Sequence, residues 1–274
     1  MPTGFTIKQK EALVYLTVPA FEATGLVKHA FTTKIGGVSS SPYASLNMAL
    51  HVGDSRQKVI TNRKLVCQML GADMERLSAG EQIHGCRVAH LDSSMAGRGA
   101  YAYGDSLQST DALATNEPNL LLSSYYADCL SLLFLDPVRG IIALSHAGWQ
   151  GTAQSIGPKT LNFMIKRYNC QIKNILVAIG PGIGACCYEV DFPVMEKIKK
   201  CLNGTAVPSI AVREGHWRLD LAEVNKILLL KAGVLPEHIT TAGLCTSCRS
   251  DLFYSYRRDR GHTGRMASLM MLVG

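Results

Sequence analysis

Two apolar runs on either side of a short turn constrain the fold of this chain most strongly. The run "LSLLFL" (130–135) precedes "DPVR" (136–139), and "GIIALSH" (140–146) follows it. Proline at the second position of such a turn favours a type I-like chain reversal. Uncharged runs of this length, bounded by turn residues, are typical of β-strands. The sequence therefore predicts an antiparallel hairpin with its loop at Asp136–Arg139.

A cysteine precedes the first run and a histidine ends the second. With the predicted loop, Leu135 pairs with Gly140, and Cys129 stands directly opposite His146 on one face. Opposed residues have β-carbons about 4.5–5.5 Å apart. A thiolate and an imidazole at that separation can share one metal ion, or the imidazole can deprotonate the thiol. The pair also fits a buried cysteine beside a core histidine, and the pairing alone does not choose between these readings.

A zinc site needs a third ligand, which "EQIHGCRVAHL" (81–91) offers as His84, Cys86 or His90. His84 lies just before Gly85 at the edge of a predicted strand, and strict alternation would place Cys86 on the same face. One cysteine and two histidines, with a fourth position open to water, make a catalytic zinc site rather than a closed structural one. Bound zinc lowers the pKa of its water toward about 7, which supplies a nucleophile at neutral pH.

Composition indicates a packed domain of mixed secondary structure. Of the 274 residues, 47% are hydrophobic and only 18% are charged, so long disordered stretches are not expected. The sequence has neither an internal repeat nor a linker-like tract, so we expect one domain over residues 1–274. Helical and β-like segments are interspersed irregularly. This order favours a mixed α/β (α+β) sandwich over a doubly wound parallel sheet.

Periodicity and capping signals locate the elements. A helix is predicted over 55–70, with Asp54 as its cap and Gly71 as its stop. Others are expected after Gly151, over "PVMEKIKKCL", and over "DLAEVNKILLLKAG", where Asp220 is the cap and Gly233 the stop. The predicted strands are "KHAFTTK", "CRVAHL", "LSLLFL", "GIIALSH", "NILVAIG" and "MASLMMLV".

The charge distribution and the absence of visible targeting signals limit the classes of partner that we expect. The formal charge is +7, and the basic residues are scattered except in "YRRDRGHTGR" (256–265). This balance suits a small anionic substrate, whereas a nucleic-acid binder would show a basic stripe with interleaved aromatic residues. No secretory signal and no membrane-spanning run is visible in the sequence. We therefore expect a cytoplasmic protein with neither nucleic acid nor a membrane as partner.

The cysteines do not suggest a disulfide framework, because there are nine and no signal peptide is visible. "CTSC" (245–248) has no second CxxC motif elsewhere in the sequence. A structural or incidental role is therefore expected for Cys245 and Cys248. The adjacent pair Cys186–Cys187 is expected to pack near a backbone turn.

Several motifs together resemble one known family. They are "FTTKIGGVSSSPYASLNMALHVGD", "NRKLV", "QIHGCRV", "YADCLSLLF", "SHAGWQGT", "GPGIGACCYEV" and "YSYRRDRGHTGRM". In this order, over residues 31–266, they resemble the YlmD/YfiH type, also called the laccase-domain or polyphenol oxidase family. The resemblance implies a four-layer α/β/β/α sandwich, similar to that of certain toxin cysteine deamidases.

The same resemblance implies an activity and a metal. Members of the family were first labelled multicopper polyphenol oxidases and later assigned to purine nucleoside chemistry. The implied reactions are phosphorolysis of adenosine, inosine, guanosine and S-methyl-5′-thioadenosine, and deamination of adenosine. The family's zinc ligands are the histidine of "HG", the cysteine of "ADC" and the histidine of "HAGW". They fall here on His84, Cys129 and His146, which are expected to bind one zinc ion per chain and to be catalytic.

One departure from the family concerns phosphate. Many relatives have a basic residue after "HAGW", whereas this chain has Gln150. Other candidates to hold phosphate are Arg63, Arg257, Arg258 and Arg265, of which Arg63 is preferred because its planar fork suits two phosphate oxygens.

Two further polar residues in the motifs are candidates for the site. Asn47 could contact the ribose or the base, or could instead cap a turn. Asp128, beside the cysteine, is expected to orient a zinc ligand. His51 and Asp54 lie in a matching motif without an assigned role.

Three alternatives stay open at this point. A copper polyphenol oxidase normally needs many histidines, and this chain has eight without an HxH motif. A metal-free Cys–His hydrolase or deamidase would use Cys129 and His146 directly. A non-enzymatic basic binding module would leave the triad unexplained. For assembly we expect a monomer or a small homo-oligomer.

Overall fold

A computed structural model of the chain describes residues 4–274. The predicted domain of 1–274 and the predicted lack of a secretory signal both include residues 1–3, which lie outside the described residues. The strands of the described chain are β1 Thr6–Lys10, β2 Leu13–Thr17, β3 Val27–Thr32, β4 Leu77–Ala79, β5 Val88–His90, β6 Ala112–Thr115, β7 Leu121–Tyr126, β8 Leu130–Asp136, β9 Ile141–Ala147, β10 Leu176–Ile179, β11 Glu189–Asp191, β12 Ser209–Arg213, β13 His216–Leu219, β14 Ile239–Thr241 and β15 Met266–Leu272.

The helices contain fewer residues in total than the strands, and most of them lie in the second half of the chain. They are α1 Pro19–Glu22, α2 Arg56–Leu70, α3 Trp149–Ala153, α4 Ile156–Tyr168, α5 Phe192–Leu202 and α6 Leu221–Lys231. Short 3-10 turns add to the connections, at Met74–Arg76, Ser93–Met95, Tyr103–Asp105, Ile172–Asn174 and Pro236–His238. Among residues 4–274, none of the helices is both long enough and apolar enough to cross a lipid bilayer.

Two mixed sheets form the centre of the molecule. The first has the order β1-β2-β3-β15-β7-β4, and its only parallel pair within the described chain is β4 with β7. The second has the order β14-β10-β8-β9-β6-β5, with parallel pairs at both edges. A small antiparallel sheet, β11-β13-β12, lies outside these two and was not predicted.

The sheets stack face to face with helices outside them. Leu133 of β8 and Leu144 of β9 share an apolar core with Leu122 and Met270 of the first sheet. Helix α2 covers the outer face of the first sheet. Helices α4, α5 and α6 cover the outer face of the second. The mixed α/β fold and the four-layer α/β/β/α arrangement are confirmed.

The hairpin of β8 and β9 exists, but its register differs from the prediction. Strand β8 extends through Asp136, which pairs with Ile141, and the loop is therefore 137–140. The Asp136 carboxylate accepts hydrogen bonds from the backbone N–H groups of Val138 and Arg139, at 2.9 and 3.1 Å. Gly140 completes the turn at φ 64°, in the left-handed region that glycine adopts without steric cost. The aspartate therefore ends the strand and starts the turn, so the loop begins one residue later than predicted.

The predicted direct opposition of Cys129 and His146 is consequently wrong. His146 pairs with Ser131, and Cys129 lies just before the first residue of β8. The shift amounts to two residues in the pairing. Because side chains alternate with a period of two, the shift leaves both residues on the same face of the hairpin, in a diagonal relation.

The predicted helices exist with altered starts. Helix α2 ends at Gly71 as expected, but its N-terminal flanking residue is Ser55 and no side chain caps it, so Asp54 as a cap was wrong. The helix expected after Gly151 begins earlier, as α3, and continues as α4 after a break. Helix α6 has the expected cap, because the Asp220 carboxylate accepts the Glu223 N–H at 2.9 Å.

Candidate metal centre and active site

Three side chains from separate parts of the chain converge at one end of the hairpin. His84 lies in the loop before β5, Cys129 in the turn between β7 and β8, and His146 near the end of β9. One ligand atom from each lies within 4.8 Å of the others. His146 shares the strand face of Leu144, which packs into the core between the sheets, and its ring contacts Tyr126 of β7 at 5.6 Å between centroids. The triad therefore lies where the two sheets meet.

The two other candidates for the third ligand have different partners. The Lys159 ammonium donates to the Cys86 sulfur at 2.9 Å, and Cys86 packs against the helix-covered core. His90 Nδ1 lies 2.6 Å from the Tyr168 hydroxyl on α4. Both side chains therefore contact helix α4 in the outer layer instead of the pair. Of the histidines and cysteines in this motif, the structure brings only His84 to the Cys129–His146 pair.

Asp111, which the sequence did not suggest, holds two of the three residues in place. Its Oδ1 lies 2.9 Å from His146 Nδ1 and accepts the His84 backbone N–H at 3.0 Å. Its Oδ2 accepts the backbone N–H groups of Gly85 at 2.7 Å and Ile83 at 3.2 Å. The carboxylate fixes the ring orientation of His146, so that Nε2 faces Cys129. The sequence signal is weak, because Asp111 is one aspartate before a short strand.

The electrostatics of the triad favour a thiolate. Burial opposes ionisation of Cys129, but the His146 charge and hydrogen bonds from His146 and His84 outweigh burial and lower the thiol pKa to about 6. Burial likewise opposes the charge on His146, but the Cys129 thiolate and Asp111 raise the imidazole pKa to about 9. A deprotonated cysteine beside two histidines is a donor set that suits a borderline metal ion.

The backbone leaves room for a ligand at the triad. A Cβ atom added to Gly148 would lie 2.9 Å from Cys129 Sγ and 3.0 Å from His84 Cδ2, so only glycine fits there. His84 at φ 61° and Asp128 at φ 82° have left-handed backbone conformations, which are rare for non-glycine residues. Such conformations often occur at functional sites. Glycine and two strained residues thus form a cradle around the three donor atoms.

A cavity of about 530 Å³ opens above the triad. Its size falls within the range of about 300–1,000 Å³ that is usual for small-molecule sites. His84, Cys129 and His146 lie in its lining. The aromatic part of the lining is Tyr125, Trp149, Tyr188 and Tyr256. The remaining polar part is His51, Gln82, Asp128, Gln150, Arg257 and Arg265.

Comparison with known proteins identifies the family. The family model described as "Multi-copper polyphenol oxidoreductase laccase" matches residues 28–273. The chain belongs to this laccase-domain family. The resemblance seen in the sequence motifs is therefore confirmed.

The relatives of this laccase-domain chain include enzymes named for purine nucleosides. It is 40% identical over 265 residues to "Purine nucleoside phosphorylase YlmD" of Geobacillus stearothermophilus, with 96% of each chain covered. It is 32% identical over 240 residues to "Adenosine deaminase RL5" of an unknown prokaryotic organism, covering 86% of this chain and 90% of that protein. The crystal structure of YlmD from Geobacillus stearothermophilus matches with a TM-score of 0.95 at 38% identity, over 100% of both chains.

Arg63, the preferred phosphate ligand, is not in the cavity of the laccase-domain chain. Its side chain is 1% exposed. The guanidinium donates to the carbonyl groups of Met48 at 2.9 Å, Gly99 at 2.7 Å and Ala100 at 2.8 Å. It also stacks over the Tyr125 ring, 4.6 Å from the centroid. Nε and Nη1 are engaged by these carbonyl groups, and the buried side chain is not part of the cavity lining, so Arg63 is not placed to contact a phosphate in the cavity.

Asn47 and Arg258 are likewise engaged by the backbone. The Asn47 amide oxygen accepts the N–H of Ala49 at 3.1 Å and that of Arg265 at 2.9 Å, and its nitrogen donates to Asp54 at 2.9 Å. Asn47 thus organises a turn, the alternative that its sequence allowed. The Arg258 guanidinium donates to Asp259 and to backbone carbonyl groups, including that of Thr246 at 3.0 Å. Neither side chain lines the cavity.

Asp128 lines the cavity but orients the backbone rather than a ligand ring. Its Oδ1 accepts the Thr246 hydroxyl at 2.7 Å, and its Oδ2 accepts the Arg257 N–H at 2.7 Å. Asp128 therefore ties the segment that carries Cys129 to two neighbouring loops. The orientation of a ligand ring, expected of Asp128, is performed by Asp111.

Proposed function

We propose that this protein is a zinc-dependent purine nucleoside enzyme. The reactions are phosphorolysis of adenosine, inosine, guanosine and S-methyl-5′-thioadenosine to the base and a ribose 1-phosphate, and deamination of adenosine to inosine. The observation that carries the proposal is the convergence of His84, Cys129 and His146 at the base of a cavity of about 530 Å³. The names of the relatives, a purine nucleoside phosphorylase and an adenosine deaminase, support the same chemistry.

Zinc fits the donor set. One thiolate and two imidazoles, with access from a cavity, match the three-ligand pattern of catalytic zinc sites. Gly148 lets the backbone approach Cys129 and His84 closely, and Asp111 supplies the outer carboxylate that metal-binding histidines commonly use. When bound, zinc acts as a Lewis acid and lowers the pKa of water toward about 7. His84, Cys129 and His146 would hold it.

The aromatic lining suits a purine base. Tyr125, Trp149, Tyr188 and Tyr256 surround the same cavity. Aromatic faces bind flat heterocycles by stacking and exclude water from the reacting atoms. Gln82 is held between the backbone N–H and C=O of Tyr125, each at 2.8 Å, which fixes this part of the wall. We infer that the base binds against these rings with its ribose toward the arginines.

Arg257 and Arg265 are the proposed phosphate donors in place of Arg63. Both line the cavity. Within residues 4–274, Nη1 is the only guanidinium nitrogen of either residue with a hydrogen-bond partner. Nε and Nη2 of each side chain are therefore available for a bidentate contact with phosphate oxygens. Asn47, which accepts the Arg265 backbone N–H, acts through Arg265 as a positioning residue.

The proposed phosphate role of the two arginines can be tested by measuring phosphorolysis and deamination separately. Arg265→Gln should weaken phosphate-dependent adenine release about 10- to 150-fold, because one charge-assisted contact contributes about 1.5–3 kcal/mol. Ammonia release, which uses water instead of phosphate, should fall much less. Arg167→Gln, at an exposed position of α4, is the matched control. Equal loss of both activities in Arg265→Gln would contradict its phosphate role.

A second candidate function is favoured by the alignment of Asp111, His146 and Cys129. Asp111 lies 2.9 Å from His146 Nδ1, and His146 in turn lowers the pKa of the Cys129 thiol. This order matches an acid–base–nucleophile triad of a cysteine hydrolase or deamidase. Such an enzyme would be inactivated by alkylation of Cys129 and would retain full activity after exhaustive chelation. The proposed zinc enzyme would lose activity under chelation and recover it with zinc.

The proposed place of action is the cytoplasm. All nine cysteines are free in the structure. Free thiols persist in reducing compartments, which supports this location.

A further inference from the structure

Four cysteines from two distant motifs come together outside the triad. Cys186 and Cys187 follow β10, and Cys245 and Cys248 form the "CTSC" turn that follows β14. Their sulfur atoms all lie within 4.8 Å of one another. Cys248 Sγ lies 3.4 Å from both Cys186 Sγ and Cys187 Sγ. The sequence predicts a structural or incidental role for Cys245 and Cys248 and packing near a turn for Cys186 and Cys187, because no second CxxC motif accompanies "CTSC".

We propose that this four-cysteine cluster binds a second zinc ion, at a closed structural site that shares no ligand with the triad. Four sulfurs bound to zinc at about 2.3 Å lie about 3.8 Å from one another in a tetrahedron. Two of the observed separations are 3.4 Å and none exceeds 4.8 Å, a range that includes this value. A tetrahedral set of four thiolates is characteristic of zinc or of iron–sulfur centres. The cluster leaves no position for water or substrate, which fits a structural role.

The surroundings of the cluster suit thiolates. The Gly184 N–H donates to Cys245 Sγ at 3.2 Å, and a hydrogen bond of this kind favours the charged form of sulfur. A Cβ atom at Gly184 would lie 3.4 Å from Cys186 Sγ and 3.2 Å from Cys245 Cβ, so glycine allows the two loops to approach. Arg258 donates to the carbonyl groups of Thr246 and Ser247 inside the turn, at 3.0 and 3.2 Å. These two contacts fix the backbone of the turn between Cys245 and Cys248.

The geometry fits one ion better than disulfide bonds. A disulfide joins only two sulfurs, about 2.05 Å apart, so four cysteines would have to divide into two separate pairs. Here Cys248 is equally close to two sulfurs, and Cys186 and Cys187 are adjacent in sequence. One ion uses all four sulfurs at once. Binding replaces four thiol protons with one zinc ion, and the protons pass to solvent.

The proposed ion would join the loop that contributes Ile183 to the cavity wall to the "CTSC" turn behind it. The backbone N–H of Gly182 donates to Leu244 at 3.3 Å, and that of Thr246 donates back to Gly182 at 3.0 Å. Thr246, inside the "CTSC" turn, donates its hydroxyl to Asp128 at 2.7 Å. The Ile183 N–H donates to the Asp128 carbonyl at 2.9 Å. A rigid four-sulfur link would thus hold the segment that presents Cys129.

The test separates the two sites by mutation. In Cys129→Ala, which lacks a triad ligand, the full-length protein should retain one zinc per chain by elemental analysis. Its zinc X-ray absorption spectrum should show four sulfur neighbours. Adding Cys248→Ser to this variant should remove that zinc, whereas adding Cys201→Ser, a half-buried cysteine on α5 outside the cluster, should not. Cys248 is exposed, so its replacement perturbs packing little.

Several outcomes would overturn the proposal. They are a folded Cys129→Ala protein without zinc, zinc that persists after Cys248→Ser, iron in place of zinc, or disulfides among the four cysteines by mass spectrometry of the non-reduced protein. If Cys248→Ser does not fold, the sulfur count in the Cys129→Ala spectrum decides alone, and fewer than four sulfur neighbours refutes the site. These results do not depend on purine turnover, so they are distinct from failure of the proposed function.

Discussion

Gly148 determines, at the scale of single residues, how closely the donor atoms of the triad approach each other. A methyl group at this position would lie 2.9 Å from Cys129 Sγ and 3.0 Å from His84 Cδ2. Contacts that short require the Cys129 sulfur or the His84 ring to shift. Gly148 therefore helps to set the positions of two of the three proposed ligands.

We predict that Gly148→Ala weakens zinc binding at the triad by about 10- to 100-fold, as perturbation of a metal site from just outside its ligands commonly does. The measurement is competitive zinc titration in protein whose four-cysteine cluster is loaded. Gly104→Ala is the control, because a Cβ atom there meets nothing within 4 Å. Unchanged zinc affinity in Gly148→Ala would contradict the geometry of the centre.

Asp111 provides the second prediction at this scale. Asp111→Asn keeps the shape of the side chain, but its amide nitrogen cannot accept hydrogen bonds. The variant therefore loses either the bonds from Gly85 and Ile83 to Oδ2 or those from His84 and His146 to Oδ1. Zinc affinity should fall about 10- to 100-fold. Zinc titration of this variant measures the loss. A variant that loses thermal stability yet binds zinc normally would assign Asp111 to folding alone.

The residue types in the sequence indicated the metal ligands but not the residues that hold those ligands in position. A cysteine and two histidines carry chemistry that motifs can display, whereas Asp111 is one of many acidic residues. Arg63 illustrates the opposite error. Its guanidinium is suited to phosphate, yet burial and three backbone carbonyls engage it. Burial depends on contacts between distant segments, which one sequence does not display.

At the scale of elements, whether Cys129 and His146 lie on the same face depends on the alternation of side chains along a strand. The exact pairing register matters less. The β8–β9 loop begins one residue later than the turn composition predicted, which moves the pairing by two residues. Cys129 and His146 stay on one face because two residues are one full period of a strand. A shift of one residue in the pairing would have separated them. The longer helices were predicted, and so were strands β3, β5, β8, β9, β10 and β15. The buried strands β6 and β7 were missed, and so were β1, β2, β4 and β11–β14. Most of the missed strands have only three to five residues, which is too short for a distinct apolar pattern.

The packing of β3 against α1 gives a pH-dependent prediction at the scale of elements. His29 is 4% exposed, and its Nε2 accepts the Val18 N–H at 2.7 Å, just before α1. Burial lowers the His29 pKa from 6.5 to about 4. Between these values the unfolded chain binds a proton that the folded chain does not, so stability is complete above pH 6.5 and falls as the pH decreases toward 4. The loss amounts to about 3 kcal/mol.

His29→Gln should make the fall of unfolding free energy between pH 6.5 and 4 shallower than in the wild type. The amide oxygen of glutamine can accept the same N–H without titrating. Denaturant unfolding at several pH values measures the slope, and His262→Gln, at an exposed position, is the control. Parallel curves for His29→Gln and wild type would show that His29 contributes no such dependence.

At the scale of the whole molecule, the two-sheet sandwich explains why the site forms from distant segments. His84 and His146 belong to the second-sheet side of the structure, Tyr125 and Tyr126 belong to the first sheet, and Arg257 and Arg265 come from the segment that leads into β15. The layer order was implied by the family motifs. The assembly of the cavity from loops of both sheets was not, because loop positions follow from packing rather than from periodicity.

The measurement that tests the central claim most directly is phosphate-dependent release of adenine from adenosine as zinc is added back to metal-stripped protein. The rate should rise in proportion to zinc bound at His84, Cys129 and His146, and Cys129→Ala should stay inactive at every zinc concentration. Wild-type turnover by the metal-stripped protein, or by Cys129→Ala, would contradict the claim that these three residues hold a zinc ion required for purine nucleoside chemistry.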